Sequence, residues 1–90
     1  MWRAEYAPTF LKDFKRLPKA VQGRVERIAF GEEILHDPFL GGKTQKLRGY
    51  RDYYKIRIGD YRIGLRLDFE QRVVEFRRVL HRSRVYRKFP

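Results

Sequence analysis

The most informative part of the chain is LRGYRDYYKIRIGDYRIGLRL, residues Leu47–Leu67. It holds two short runs in which apolar and basic residues alternate, joined by Gly59-Asp60. Alternation with a period of two is typical of a β-strand with one buried face, and Gly-Asp is favoured in two-residue hairpin turns. The stretch therefore predicts a β-hairpin with one apolar face and one strongly basic face.

The turn fixes the register of this hairpin. If Gly59-Asp60 are the two turn residues, the facing pairs are Ile58–Tyr61, Arg57–Arg62, Ile56–Ile63, Lys55–Gly64 and Tyr54–Leu65. Every isoleucine of the hairpin then falls on one face, and a shift of one residue would scramble that face. The other face carries the basic residues Lys55, Arg57, Arg62 and Arg66.

The segments before the hairpin predict one strand and two helices. Trp2 to Ala7 alternates like a strand, Pro8 suits the first turn of a helix, and Pro18 separates that helix from a second one. The second helix is expected from about Lys19 to His36. Gly31 weakens it by about 1 kcal/mol relative to alanine, which allows a bend or an early end near that residue. Phe39 to Thr44 is expected to be a loop.

After the hairpin, Val73 to Leu80 predicts another strand, and His81–Pro90 is a basic tail with room for one helical turn. The strand pattern is irregular because Arg78 shares a face with apolar neighbours, which a bulge or an arginine at the sheet edge would resolve. The order β-α-α-β-β-β predicts one α+β domain over residues 1–90. Its twisted, mostly antiparallel sheet would carry a two-helix hairpin on one face and leave the basic face open.

The charge balance points to a polyanionic partner. Lys and Arg number 22 against 11 Asp and Glu, a formal net charge of +11. Nucleic acid is the leading candidate, ahead of an anionic membrane surface, and an acidic protein partner is compatible with either. The chain has no cysteine and no long apolar run typical of a signal peptide or membrane span, so the cytoplasm is the expected location.

The basic face of the hairpin has two interpretations. Like charges directly opposite each other destabilise a sheet, so Arg57 facing Arg62 is unfavourable unless the side chains splay into solvent or grip a phosphate. Gly64, opposite Lys55, would let a ligand backbone come close.

The sequence argues against a metal or cofactor site. Carboxylates are scattered rather than clustered, His36 and His81 are far apart, and Gly41-Gly42-Lys43 lacks the spacing of a Walker motif. Cleavage of RNA without metal stays possible, because the 2′-hydroxyl can attack the adjacent phosphate. Lys55, His81 and Tyr86 are the candidate proton carriers. Equally, His81 and Tyr86 could be purely structural, and the face could stack bases without chemistry.

Several motifs together resemble the RelE branch of the RelE/ParE superfamily of bacterial and archaeal toxins. They are Lys46-Leu47-Arg48-Gly49, Tyr54-Lys55-Ile56-Arg57, Gly59-Asp60-Tyr61-Arg62, the ending His81-Arg82…Tyr86, and the helix punctuation Phe14–Pro18. The resemblance covers nearly the whole chain.

The resemblance implies a toxin of a type II toxin–antitoxin pair, which cuts mRNA in the A site of a 70S-type ribosome without metal and is neutralised by a cognate antitoxin. It implies that Lys55 and Arg57 are the paired basic residues of the central strand, with Lys55 the general base or its neighbour. Arg62 would stabilise the phosphate, and Arg82 would serve the transition-state charge or the leaving group.

In the same comparison Tyr86 would stack on or orient a base, and His81 stands where relatives often have histidine. Further RNA contacts are expected from Lys46, Arg48, Arg66 and Arg84. Two departures stand out: Arg57 replaces a lysine of some members, and the segment from Arg82 to Tyr86 is shorter than in some relatives. Alternatives are a ParE-like toxin acting on DNA gyrase and a non-catalytic RNA-binding module.

Overall fold

A computed structural model describes all of residues 1–90. Its strands are β1 (Arg3–Tyr6), β2 (Thr44–Lys46), β3 (Tyr53–Ile58), β4 (Tyr61–Asp68) and β5 (Val73–His81). They form one sheet in the order β1-β5-β4-β3-β2, in which only the β1–β5 pair is parallel. The predicted α+β fold with a mostly antiparallel sheet is confirmed, and the short edge strand β2 is an addition to it.

The predicted hairpin register is confirmed. β3 and β4 pair with Ile58 opposite Tyr61, Arg57 opposite Arg62 and Lys55 opposite Gly64. Gly59 adopts a φ of +56°, a left-handed conformation that glycine reaches without steric cost. Local turn chemistry and alternation therefore place the cations of the hairpin on one face.

The helices are α1 (Pro8–Lys15), α2 (Lys19–Ala29), α3 (Glu33–His36) and α4 (Arg82–Lys88), with a short 3₁₀ turn at Leu40–Gly42. The expectation of one continuous helix from Lys19 to His36 is wrong, but the early end allowed near Gly31 is present: α2 ends at Ala29 and α3 begins at Glu33. A Cβ at Gly31 would lie 2.2 Å from the carbonyl oxygen of Arg27, so the chain turns there in a way that only glycine permits.

The main core lies between α1–α3 and one face of the sheet. Phe10 of α1, Val25 of α2 and Ile34 of α3 are fully buried there. From the sheet, Ile63, Leu65 and Phe76 are fully buried against them. Full burial of such side chains stabilises a fold by about 1.5–3 kcal/mol each, which makes this layer the rigid base of the sheet.

The irregular pattern of the last strand comes from a β-bulge. Leu65 pairs with Phe76 but Gly64 pairs with Arg78, so Arg77 has no partner on β4. Arg78 reaches the edge of the sheet, where its Nε donates to Asp13 of α1 at 2.7 Å. The β-bulge and the arginine at the sheet edge, which the sequence offered as alternatives, are thus both present.

The expectation of an open basic face is wrong, because α4 lies across it. Val85 and Phe89 pack with Leu47 and Leu80 into a second, smaller core on that side, against which Tyr53 also packs. A Cβ at Gly64 would lie 2.7–2.8 Å from three ring carbons of Phe89, so the glycine admits this ring and not a ligand backbone. The tail forms a seven-residue helix instead of one turn. No helix has the length and apolar character needed to cross a membrane.

Candidate active site

Three predicted site residues meet where the hairpin contacts α4. The Nζ atom of Lys55 donates a hydrogen bond of 2.8 Å to the phenol oxygen of Tyr86. Arg62, on the neighbouring strand and the same sheet face, is close enough to Tyr86 to affect its ionisation. Tyr86 is held over the sheet because Val85, its neighbour in α4, is buried in the smaller core.

This arrangement changes the acidity of the phenol. The hydrogen bond from Lys55, the charge of Lys55 and the contact with Arg62 together lower the pKa of Tyr86 below its ordinary value of 10, and partial burial opposes them. The tyrosine remains 56% exposed, so a substrate can reach it. Lowering the pKa raises the fraction of Tyr86 that is phenolate at a given pH, and the phenolate is the form that can accept a proton.

Arg62 is held in place by the turn of its own hairpin. Its Nη1 donates to the carbonyl oxygen of Gly59 at 2.8 Å and to that of Tyr61 at 2.9 Å. The guanidinium is therefore oriented by backbone carbonyls of its own hairpin, on the side where it also contacts Tyr86. Arg57 lies opposite Arg62, is exposed and makes no ion pair.

Arg82 lies at the start of α4, beside the hairpin turn. Its backbone N–H donates to the carbonyl oxygen of Asp60 at 2.7 Å, and its Nε lies 3.7 Å from an Asp60 carboxylate oxygen. Both side chains are mostly exposed, with exposed fractions of 61% and 69%. An ion pair of this kind is worth about 0–1 kcal/mol, so a phosphate could displace the carboxylate.

His81 does not join Lys55 and Tyr86. It caps the N-terminus of α4, where its Nδ1 accepts a hydrogen bond of 3.2 Å from the backbone N–H of Ser83. It pairs with Tyr61 across the sheet, and the two rings meet edge-on with centroids 5.3 Å apart. Since Tyr61 packs against the main core, His81 lies on the sheet face that is covered by α1–α3.

The four additional RNA contacts expected from the sequence are spread over the molecule. Lys46 pairs with the buried Tyr54, which places it at the sheet edge on the face that is covered by α1–α3. Arg66 lies 3.9 Å from a carboxylate oxygen of Asp52 and has a second acidic neighbour, Asp68, at 3.8 Å. Its charge is thus partly neutralised within the protein.

The remaining two, Arg48 and Arg84, are exposed. Arg84 lies two residues from Tyr86 in α4, and side chains two apart point to nearly opposite sides of a helix. The structure therefore gathers Lys55, Arg62 and Tyr86, keeps Arg57 nearby, and does not gather the other predicted contacts around them.

Sequence reasoning missed three residues that position this site. The sequence predicts a turn at Asp60 but not its contacts with Arg82, and it does not predict that the ring of Phe89 packs on Gly64. Val85 and Phe89 are four residues apart, the spacing of one helix face, which is the signal that the tail packs by an apolar side. No group of three or more His, Cys, Asp or Glu side chains is gathered in a way that could hold a metal ion.

Comparisons with known proteins identify the family to which the chain belongs. The family profile described as "ParE toxin of type II toxin-antitoxin system, parDE" matches residues 4–86. Toxin RelE3 of Methanocaldococcus jannaschii is 39% identical over 88 residues, covering 94% of this chain and 96% of that protein. Toxin RelG of Mycobacterium tuberculosis is 30% identical over 87 residues, covering 97% and 98%.

Solved structures agree. The RelB-RelE antitoxin–toxin complex from Methanococcus jannaschii contains a chain with a TM-score of 0.75 and 39% identity, covering 96% of this chain and 99% of that one. The isolated E. coli RelE toxin gives a TM-score of 0.74 at 25% identity, covering 90% and 84%. The chain therefore belongs to the RelE/ParE superfamily of toxins of type II toxin–antitoxin systems. Within that superfamily it is a RelE-like toxin.

Proposed function

We propose that this chain is a metal-independent endoribonuclease that cuts mRNA in the ribosomal A site. The observation that carries the proposal is the contact of Lys55 with the exposed Tyr86, beside Arg62. Attack by a 2′-hydroxyl on the adjacent phosphate requires a proton acceptor and oriented cations, and this cluster contains both.

In this reaction the 2′-oxygen bonds to phosphorus and the bond to the 5′-oxygen breaks, leaving a 2′,3′-cyclic phosphate. Tyr86, as phenolate, takes the proton of the 2′-hydroxyl, and Lys55 stabilises that phenolate. Arg62 and Arg57 neutralise the charge that grows on the phosphate oxygens. Arg82 adds positive charge but no proton, because guanidinium does not deprotonate in proteins.

The 5′-oxygen leaves on the side of phosphorus opposite the attack. Lys55 and Tyr86 contact each other, so both lie on the attacking side. The cluster therefore supplies no proton to the leaving oxygen, and the proposal assigns that proton to a group of the ribosome. A free chain without the ribosome is accordingly expected to cleave RNA poorly.

The test is cleavage of mRNA on programmed ribosomes by the wild-type chain and by Arg62→Ala. Losing one oriented stabiliser of transition-state charge is expected to slow cleavage by about 10²–10³-fold. Arg87→Ala is the matched control, since Arg87 is exposed on α4 and lies outside the site. Absence of A-site cleavage by the wild type, or an unchanged rate for Arg62→Ala, would overturn the proposal.

One observation favours a second function, inhibition of DNA gyrase: the matching family profile carries the ParE description. A gyrase inhibitor has no need for a phenol held by a lysine beside an oriented arginine, so this reading leaves the cluster unexplained. It predicts growth arrest with intact mRNA and broken DNA. A non-catalytic RNA-binding module predicts salt-sensitive RNA affinity with neither toxicity nor cleavage.

The proposal includes an acidic antitoxin as partner and mRNA on a 70S-type ribosome as substrate. Related toxins have been solved as complexes with RelB antitoxins from Methanococcus jannaschii and Pyrococcus horikoshii. The net charge of +11 favours association with an acidic chain. Because translating ribosomes are cytoplasmic, the proposal locates the protein in the cytoplasm.

A further inference from the structure

A cavity of about 230 Å³ lies on the side of α4 away from Tyr86. It is bounded by the C-terminal end of α1, the end of β5 and α4. Its basic lining residues are Arg16, Arg78, His81, Arg84 and Lys88, and Asp13 is its only carboxylate. The proposed cleavage reaction makes no use of this cavity.

The carboxylate of Asp13 is paired with Arg78 and orients its guanidinium group. Asp13 is 8% exposed and accepts hydrogen bonds from Arg78 Nε at 2.7 Å and Nη2 at 3.1 Å, and from the Val79 backbone N–H at 3.2 Å. This fork fixes the Arg78 guanidinium in the cavity wall. Its Nη1 protons have no acceptor, so they remain available to an anion.

The other cations of the cavity have no acidic partner. Arg16 and Lys88 lie at the C-terminal ends of α1 and α4, where a cation is favoured even without a ligand. Arg84 lies near the start of α4, where the helix dipole does not favour a cation. Its side chain points to the same side of α4 as that of Lys88, four residues later. The four Arg and Lys side chains around the cavity repel one another, and its one carboxylate is already paired with Arg78, so an entering anion would relieve the repulsion.

The size of the cavity selects the kind of anion. Pockets for whole small molecules usually measure about 300–1,000 Å³. The volume of about 230 Å³ is below that range, so it suits a phosphate group presented by a longer chain better than a complete nucleotide. The two basic sites also flank a helix about 10–12 Å in diameter, so they would hold phosphates that are not adjacent.

We propose that this cavity binds a backbone phosphate of the RNA strand, at a distance from the phosphate that is cut. The inference rests on the proposed function in that RNA is taken as the substrate. Arg78 and Arg84 are its principal donors. The RNA strand would therefore cross α4, with the scissile phosphate on the Tyr86 side and the second phosphate on the Arg84 side.

The test measures binding of a six-nucleotide RNA in which every ribose is 2′-O-methylated, so that it cannot be cut. Arg84→Ala is expected to weaken binding about tenfold, the factor that corresponds to one charge-assisted hydrogen bond. It should also reduce the slope of log affinity against log salt by about 0.7, the value for one phosphate contact on a single strand. Arg87→Ala is the matched control, because it removes the same charge from α4 outside the cavity.

Inorganic phosphate and adenosine 5′-monophosphate are the small probes, followed by NMR at the Val79 and His81 amides. We expect the RNA to shift these amides, and both small probes to bind more weakly than the RNA. Equal losses and equal salt slopes for Arg84→Ala and Arg87→Ala would overturn the proposal, as would tighter binding of the mononucleotide. Lys88→Ala gives a second variant, and thermal melting verifies that each variant folds.

This experiment contains no ribosome and no cleavable RNA. Failure of the ribosomal cleavage assay therefore overturns the proposed function and leaves the phosphate site standing if the RNA binds as expected. Conversely, normal ribosomal cleavage together with no effect of Arg84→Ala on the salt slope would overturn the phosphate site and leave the proposed function standing.

Discussion

Replacing Gly64 by alanine tests the seating of α4 over the sheet. The new Cβ would lie 2.7–2.8 Å from three ring carbons of Phe89, while ordinary contact begins near 3.4 Å. The ring must therefore retreat by about 0.7 Å. Phe89 is only 5% exposed and belongs to the smaller core, so this retreat disturbs the packing that holds α4.

The expected cost follows from two opposing effects. Overpacking of a well-filled site costs about 1–3 kcal/mol. Replacing glycine by alanine reduces the entropy of the unfolded chain, which returns about 0.4–1 kcal/mol. The free energy of unfolding of Gly64→Ala should thus fall by about 1–2 kcal/mol. For a domain of this size each kcal/mol corresponds to about 4–8 °C in Tm.

The same change should reach the candidate site. As α4 shifts, Tyr86 loses the hydrogen bond from Lys55, and the pKa of Tyr86 rises toward 10. Thermal melting and NMR titration of the Tyr86 ring measure the two effects. The reasoning is refuted if Gly64→Ala melts like the wild type and leaves the pKa of Tyr86 unchanged.

Two comparisons identify the cause. Gly23→Ala in α2 is the matched control, because a Cβ there meets nothing within 4 Å and alanine favours a helix by about 1 kcal/mol. In a Phe89→Ala background the Gly64 substitution has no ring to displace, so its cost should vanish. A coupling free energy of about 1 kcal/mol or more between positions 64 and 89 would show direct contact.

Three further predictions concern other parts of the chain. Asp13→Asn should lower the free energy of unfolding by about 1.5–3 kcal/mol in urea denaturation, since Arg78 loses a charged acceptor. Lys55→Met removes the donor that lowers the pKa of Tyr86, so this pKa should rise in an NMR titration, and the increase of cleavage rate with pH should move to higher pH. Gly31→Ala should destabilise the chain by more than about 1 kcal/mol in thermal melting, because its Cβ meets a backbone carbonyl at 2.2 Å.

The chain offers matched controls for these predictions. Glu5→Gln alters an exposed ion pair of 3.5 Å with Arg3 and should change stability by less than about 1 kcal/mol, unlike Asp13→Asn. Gly23→Ala again contrasts with Gly31→Ala. A stability loss for Asp13→Asn no larger than that for Glu5→Gln would contradict the role of Asp13 at the sheet edge.

The hairpin register could be predicted because it depends on local chemistry. Gly59-Asp60 fixes the turn, and alternation fixes the faces, so the pairing of Arg57 with Arg62 follows from neighbouring residues alone. The end of α2 was less predictable. The cost of Gly31 in a helix is readable from the sequence, but its contact with the Arg27 carbonyl depends on the path of the chain.

The placement of His81 could not be read from the sequence because it depends on the bulge. Without the unpaired Arg77, alternation along β5 would put His81 on the same face as Arg62. The bulge shifts the register by one residue, so that Leu80 faces Arg62 and His81 faces Tyr61. One extra residue on a strand thus removes a candidate proton carrier from the site and makes it a helix cap.

The structure also explains how the hairpin tolerates the repulsion between its clustered cations. Oxygen atoms of the protein solvate them: the Tyr86 side-chain oxygen accepts from Lys55, and the uncharged carbonyls of Gly59 and Tyr61 accept from Arg62. Neutral acceptors bind cations less strongly than phosphate oxygens do, because the negative charge of a phosphate adds Coulomb attraction to the hydrogen bond. The free protein can therefore keep these charges close together without a ligand, and an RNA phosphate can still outcompete the carbonyl oxygens that hold Arg62.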